Sequence, residues 1–132
     1  MERAELLKAY VEGWKDVPVI WGESDCTAYA AKWVEIATGC HVPRLANYSS
    51  KDEALKIIDH HGGLLALWTN ALAQAGIFEN RGEPQLGDVA LVRTADYGDV
   101  GVIIANDGAC ILRTETGTRF LRPRSFVKVW AI

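Results

Sequence analysis

The sequence is short of cysteine, histidine and proline, with three, three and four in 132 residues. Cys26, Cys40 and Cys110 are odd in number, widely spaced and without a CxxC pair. That excludes a disulfide framework and a structural zinc site as the basis of the fold. Cys26, Cys40 and His41 together match no common metal-ligand spacing, so no metal and no cofactor is expected. Also lacking is an apolar run near the roughly eighteen residues that a bilayer crossing needs. The opening Met1-Glu2-Arg3-Ala4-Glu5 is charged, unlike a secretory signal. The expectation is a protein made in the cytoplasm, with no membrane span. Repeats, low-complexity tracts and linkers are absent as well, so residues 1–132 read as one domain.

What is present fits a globular chain: 49% hydrophobic and 23% charged residues. At this size roughly two-thirds of the unfolded surface can be buried, enough for a core without a metal or a disulfide. A net charge of −3 gives no general attraction for nucleic acid, which is not an expected partner. One local exception lies late in the chain, where Arg113, Arg119, Arg122, Arg124 and Lys128 cluster. They read as a basic, solvated face on strands.

Helical grammar fills the first part. Leu6, Leu7, Tyr10, Val11 and Trp14 make one amphipathic stripe over residues 2–15, ended by Pro18. Ser24 and Asp25 are alternative N-caps for an alanine-rich helix from Cys26 to Thr38, with Gly39 at the C′ position. Ser50-Lys51-Asp52-Glu53 is a capping box that opens a helix to about His60. Gly62-Gly63 breaks it, and a fourth helix runs from Leu64 to Ala75. From residue 86 the pattern changes to short strands over 89–92, 100–105, 109–113, 118–121 and 126–132. Hairpin signals stand at Asn106-Asp107-Gly108 and Glu115-Thr116-Gly117-Thr118. Helices first and an antiparallel meander second give an α+β class, with N-terminal helices packed on a sheet of about five strands.

Cys26 is the best candidate for chemistry. It is the first or second residue of its helix, depending on whether Asp25 or Ser24 caps it. Unpaired N–H groups and the helix dipole there favour a thiolate, while the Asp25 carboxylate opposes one unless capping consumes its charge. A small buried cysteine packed on the sheet is the competing reading.

Three stretches carry a family resemblance: Trp21-Gly22-Glu23-Ser24-Asp25-Cys26 with the helix behind it, Gly87-Asp88-Val89-Ala90-Leu91-Val92, and Asp99-Val100-Gly101-Val102-Ile103-Ile104. With the terminal Val129-Trp130-Ala131-Ile132 they span most of residues 19–132. In order and spacing the chain resembles the NlpC-type branch of the papain-like cysteine peptidases and amidases, and most of all its small phage- and prophage-encoded members. The resemblance implies a papain-like fold with Cys26 at the nucleophile's position. It also puts Asp99 where that family carries its catalytic histidine. A carboxylate of ordinary pKa, about 4, is a poor proton donor at neutral pH, and its charge opposes a thiolate. The three histidines do not fill the gap. His60 and His61 end a helix, and His41 lies near the far end of the Cys26 helix, about 20 Å away at roughly 1.5 Å per residue.

Trp21, Asp25 and Asp88 are the candidate substrate- or partner-contacting residues beside Cys26 and Asp99, although Asp88 also reads as a turn residue bonding its own backbone. Two functions follow from the resemblance. One is a structural or binding module of a phage tail tip or its assembly, virion-associated and contacting other tail proteins, with a degenerate cysteine site. The other is a cysteine hydrolase that cuts peptidoglycan stem peptides with Cys26 as nucleophile. Asp99 favours the first.

Overall fold

The computed structural model describes residues 2–21, 25–43, 48–95, 98–114 and 116–132. Among the described residues, four α-helices precede five strands: α1 (Arg3–Trp14), α2 (Cys26–Thr38), α3 (Lys51–His60), α4 (Leu64–Gln74), β1 (Val89–Thr94), β2 (Gly98–Ile104), β3 (Cys110–Thr114), β4 (Gly117–Leu121) and β5 (Lys128–Trp130). The α+β class holds, and the sheet is antiparallel in the order β4-β3-β2-β1-β5.

Local signals set the helix ends. Asp25 caps α2, its Oδ1 accepting the Ala28 N–H at 3.0 Å. Ser24, the alternative cap, lies outside the described residues. Gly39 closes the same helix in the left-handed conformation, where a side chain would be strained. At α3, Ser50 Oγ accepts the Glu53 N–H, and Glu53 reaches back to the N–H of Ser49 instead of that of Ser50.

Strand bounds differ from expectation where polar residues intervene. β1 and β2 continue past their apolar stretches to Thr94 and back to Gly98, because Arg93 faces Asp99 across the hairpin and the ladder outlasts the hydrophobic run. β5 is shorter than expected, only Lys128–Trp130. The β2–β3 link at Asn106–Gly108 is a single 3-10 turn.

Both faces of the sheet are buried. Val89, Leu91, Ile103, Ile111 and Trp130 pack with the helices around Tyr10, Tyr29, Trp33 and Trp68. The alternate residues Ala90, Val92, Val102, Ile104, Cys110 and Leu112 form a second cluster, against which Leu121 and Phe126 pack. Connectivity explains the cover. β4 and β5 are the two edges, about 19 Å apart at roughly 4.8 Å per strand spacing. Only residues 122–127 join them, a reach of at most about 24 Å when fully extended. This strap crosses the sheet from edge to edge, bending at Arg124, Ser125 and Val127 and laying Phe126 on the second cluster.

Arg113 corrects the reading of a solvated basic face. It is 3% exposed, on the helix side of β3. Its guanidinium donates to the carbonyl oxygens of Trp14 and Val17 and to Thr118 Oγ1, and lies 5.8 Å from the ring centres of Trp14 and Tyr29. Carbonyls at and just beyond the C-terminus of α1, that of Trp14 also accepting the Val17 N–H, satisfy a cation that would otherwise be costly to bury. Arg119, Arg122 and Arg124 are exposed, and Lys128 donates to Thr69 Oγ1.

Candidate functional site

Two features of β2 create the place that Cys26 occupies. β2 and β3 are registered only at Ile103↔Ile111 and Ile104↔Cys110, so the earlier half of β2 has no described ladder partner on that side. Gly101, in that half, carries a backbone hydrogen bond to Cys26 at the start of α2. Gly101 also has no room for a side chain. A Cβ there would lie 2.3–2.4 Å from ring atoms of Trp68, which reaches down from α4. The Trp68 Nε1–H donates to Thr27 Oγ1 at 3.3 Å. Glycine on the strand thus lets an indole and a helix N-terminus settle on the same stretch of β2.

The electrostatics of Cys26 run against a reactive thiolate. Burial raises its pKa most and the Asp25 charge adds to that. Hydrogen bonds from the Gly101 backbone and from Thr27 lower it without overcoming burial. The helix N-terminus alone predicts a lowered pKa; desolvation outweighs it here. Asp25 is itself buried, held by the Ala28 N–H and by the Tyr48 hydroxyl, which donates to Oδ2 at 2.7 Å. Capping therefore occupies this carboxylate without cancelling its field at the neighbouring sulfur.

Alternation puts Asp99 on the same face of β2 as Gly101, one pleat nearer the hairpin end. Its carboxylate is taken by Arg93: Nε donates to Oδ1 at 2.9 Å and Nη2 to Oδ2 at 3.4 Å. Asp99 in turn holds the Arg93 guanidinium above its already high ordinary pKa. Both oxygens of this carboxylate are engaged by a permanent cation, and the Cys26 thiol holds its own proton tightly.

A family model matches residues 2–132, that of a domain of unknown function, DUF6950. The chain belongs to DUF6950. No curated protein matches it. The match takes in every helix and strand of the fold, including the Cys26–Gly101 junction.

The other singled-out residues of this DUF6950 domain lie apart. Asp88 is 1% exposed and ties three segments together: its carboxylate accepts the Gln85 N–H, the Asn80 side-chain amide and the Ile132 N–H, the last at 3.1 Å. That arrangement anchors the C-terminal residues beside the turn into β1. Trp21 is half-buried in a turn just before the cap of α2, and residues 22–24 of the resemblance stretch lie outside the described residues. His41 Nδ1 sits 3.0 Å from Glu35 Oε2, beyond the far end of α2, and the rings of His60 and His61 stack edge-on at the end of α3. Among the described residues no group of three or more His, Cys, Asp or Glu could hold a metal ion, and no helix is long and apolar enough to cross a membrane.

Sequence reasoning missed three contributors to the site: Arg93, Tyr48 and Thr27. Arg93 had a signal, since a charge opposite Asp99 follows from the β1–β2 register. Tyr48, 23 residues from its partner Asp25, had none.

Proposed function

We propose that this domain is a binding or structural module with a papain-like arrangement and a degenerate cysteine site, serving in a phage tail tip or its assembly beside other tail proteins. Within this reading it is made in the cytoplasm and becomes virion-associated. The α+β order, with Cys26 at the start of a helix laid on an antiparallel sheet, supports the papain-like arrangement. One observation carries the loss of catalysis: the residue standing where the resemblance expects a histidine is a carboxylate paired with Arg93, while burial and the Asp25 charge keep the Cys26 thiol protonated. Such a pair has no group to take the thiol proton near neutrality or to return it to a leaving group.

The test is alkylation of Cys26 by iodoacetamide from pH 6 to 9, followed by peptide mass spectrometry with Cys26→Ser as control. The expected result is no modification of Cys26 below about pH 8, because desolvation and the Asp25 charge keep its thiol protonated although the residue, like Cys40, is half-buried. Rapid labelling of Cys26 at pH 6 would overturn the reading in favour of the hydrolase. The placement of Cys26 at a helix start over Gly101 is the observation on that side, and peptidoglycan-fragment cleavage would then be assayed.

A further inference from the structure

The two edges of the sheet are not equivalent. The outer side of β5 is occupied: the Asn80 N–H donates to the Val129 carbonyl, the Ala131 N–H to the Phe78 carbonyl, and Glu79 bridges Trp130. The outer side of β4 carries no backbone hydrogen bond among the described residues. No residue of β4 is buried, Arg119 and Phe120 are exposed, and Phe120 is 64% accessible. Beside it opens a cleft of about 400 Å³ lined by Arg93, Leu112, Arg119, Phe120, Arg122 and Pro123.

Charge decides what fits there. The last 24 residues hold Arg113, Arg119, Arg122, Arg124 and Lys128 against a single acid, Glu115, in a chain of net charge −3. Arg113 is consumed inside the fold, so the exposed positive charge gathers at β4 and the start of the strap. An antiparallel pairing of two β4 edges would set the Arg119 and Arg122 side chains of two copies close together, which disfavours a second copy of this chain. Arginine alone would suffice to block edge association. A large exposed phenylalanine and an apolar-floored cleft in the same place add a gripping surface that such blocking does not need.

We propose that the β4 edge with its arginine-lined cleft is a docking site for an acidic protein segment that binds in extended form as a sixth strand. The backbone of β4 supplies the pairing, Phe120 the apolar contact on one face of the added strand, and Arg119, on the other face opposite Leu112, with Arg122 the charge selection. On docking, Arg119 exchanges its present bonds to the Thr118 carbonyl and Thr116 Oγ1 for a carboxylate. The inference rests on reading the domain as a binding module; of the residues assigned to the Cys26 site only Arg93 borders the cleft, and it stays paired with Asp99. Alkylation of Cys26 and strand docking can therefore fail separately.

The probe is a labelled seven-residue peptide alternating glutamate with valine, against a lysine–valine counterpart, titrated by fluorescence anisotropy at 20 and 200 mM salt. The glutamate peptide is expected to bind, at least tenfold more tightly than the lysine peptide and more weakly at high salt. Arg119→Glu and Arg122→Glu should each reduce binding at least threefold while leaving the circular dichroism unchanged. Amide exchange should slow on binding at the alternate β4 amides that point away from β3. Equal binding of the two peptides, indifference to both substitutions, or protection elsewhere would overturn the proposal. So would tighter binding of oligo-dT than of the glutamate peptide, which would assign the cleft to phosphate.

Discussion

The two faces of the sheet are buried to the same degree by different chemistry. Beneath the helices the core is aromatic, and its polar atoms are placed apart from the buried Tyr29 hydroxyl, which has no hydrogen-bond partner among the described residues: Trp33 Nε1 donates to the Gly87 carbonyl, Trp68 Nε1 to Thr27, and the Tyr10 hydroxyl to the Tyr29 carbonyl. On the other face the cluster is aliphatic, with Cys110 as its only heteroatom-bearing side chain. Aromatic groups with a polar end fix orientation as well as area, and aliphatic groups contribute area alone. The face that must seat Cys26 against Gly101 is the one whose groups are oriented.

That contrast can be broken by truncation. Trp68→Ala should cost most, about 3–5 kcal/mol in urea unfolding, because it empties the notch over Gly101 and leaves Thr27 without its donor. It should also make Cys26 accessible to alkylation. Ile104→Ala on the second face should cost about 2–4 kcal/mol, with Cys26 labelling unchanged. If both variants expose Cys26 equally, the faces are not independent.

Gly101→Ala inserts a methyl into the Trp68 ring and should cost about 1–3 kcal/mol. Moving the ring changes Trp fluorescence, a readout that a merely weakened strand would not give. The two faces also differ in alkali. The Cys110 thiol is pushed by burial from 9.0 up to about 11, and the Tyr29 hydroxyl from 10.0 up to about 12, the Arg113 charge tempering the latter. Between these values the unfolded chain has lost protons that the folded chain keeps. Stability is therefore full below about pH 9 and falls as pH rises toward 11 and 12. Cys110→Ala should remove its share of the early part of that fall, roughly 1–2 kcal/mol, leaving the share of Cys26, whose thiol burial also raises, and the part that begins near pH 10. The smallest effect belongs to Asp99→Asn. The pair with Arg93 lies at an exposed hairpin end, so the melting temperature should not shift measurably and Cys26 should stay as unreactive as before.

Legibility in the sequence followed the range of the interactions. α2 and α3 were readable almost to the residue, because Asp25, Gly39 and Ser50 act on backbone groups within one turn of themselves. The ends of β1 and β2 were not, since hydrophobicity stops at Val92 and Val100 while hydrogen bonding continues through a charged pair. The placement of Cys26 at a helix start was legible, but its raised pKa was not: that depends on burial against β2, 75 residues further along the chain at Gly101. Arg113 misled for the same reason, as its carbonyl partners on Trp14 and Val17 are 99 and 96 residues away. The unbroken apolar character of β1, β2 and β3 did contain the clue to a second core, because a strand covered on one side only would alternate.

The short strap between β4 and β5 works as a ruler. Its six residues span five strands with little to spare, so the interior width of the sheet is fixed by a length of covalent chain. A strand inserted between the present edges would demand a longer strap and would lift Phe126 from the core it covers. Growth outside the tied edges meets no such constraint. In this architecture, change inside the sheet requires coordinated insertions, whereas addition at a free margin requires none, and relatives of different size should differ at their margins first.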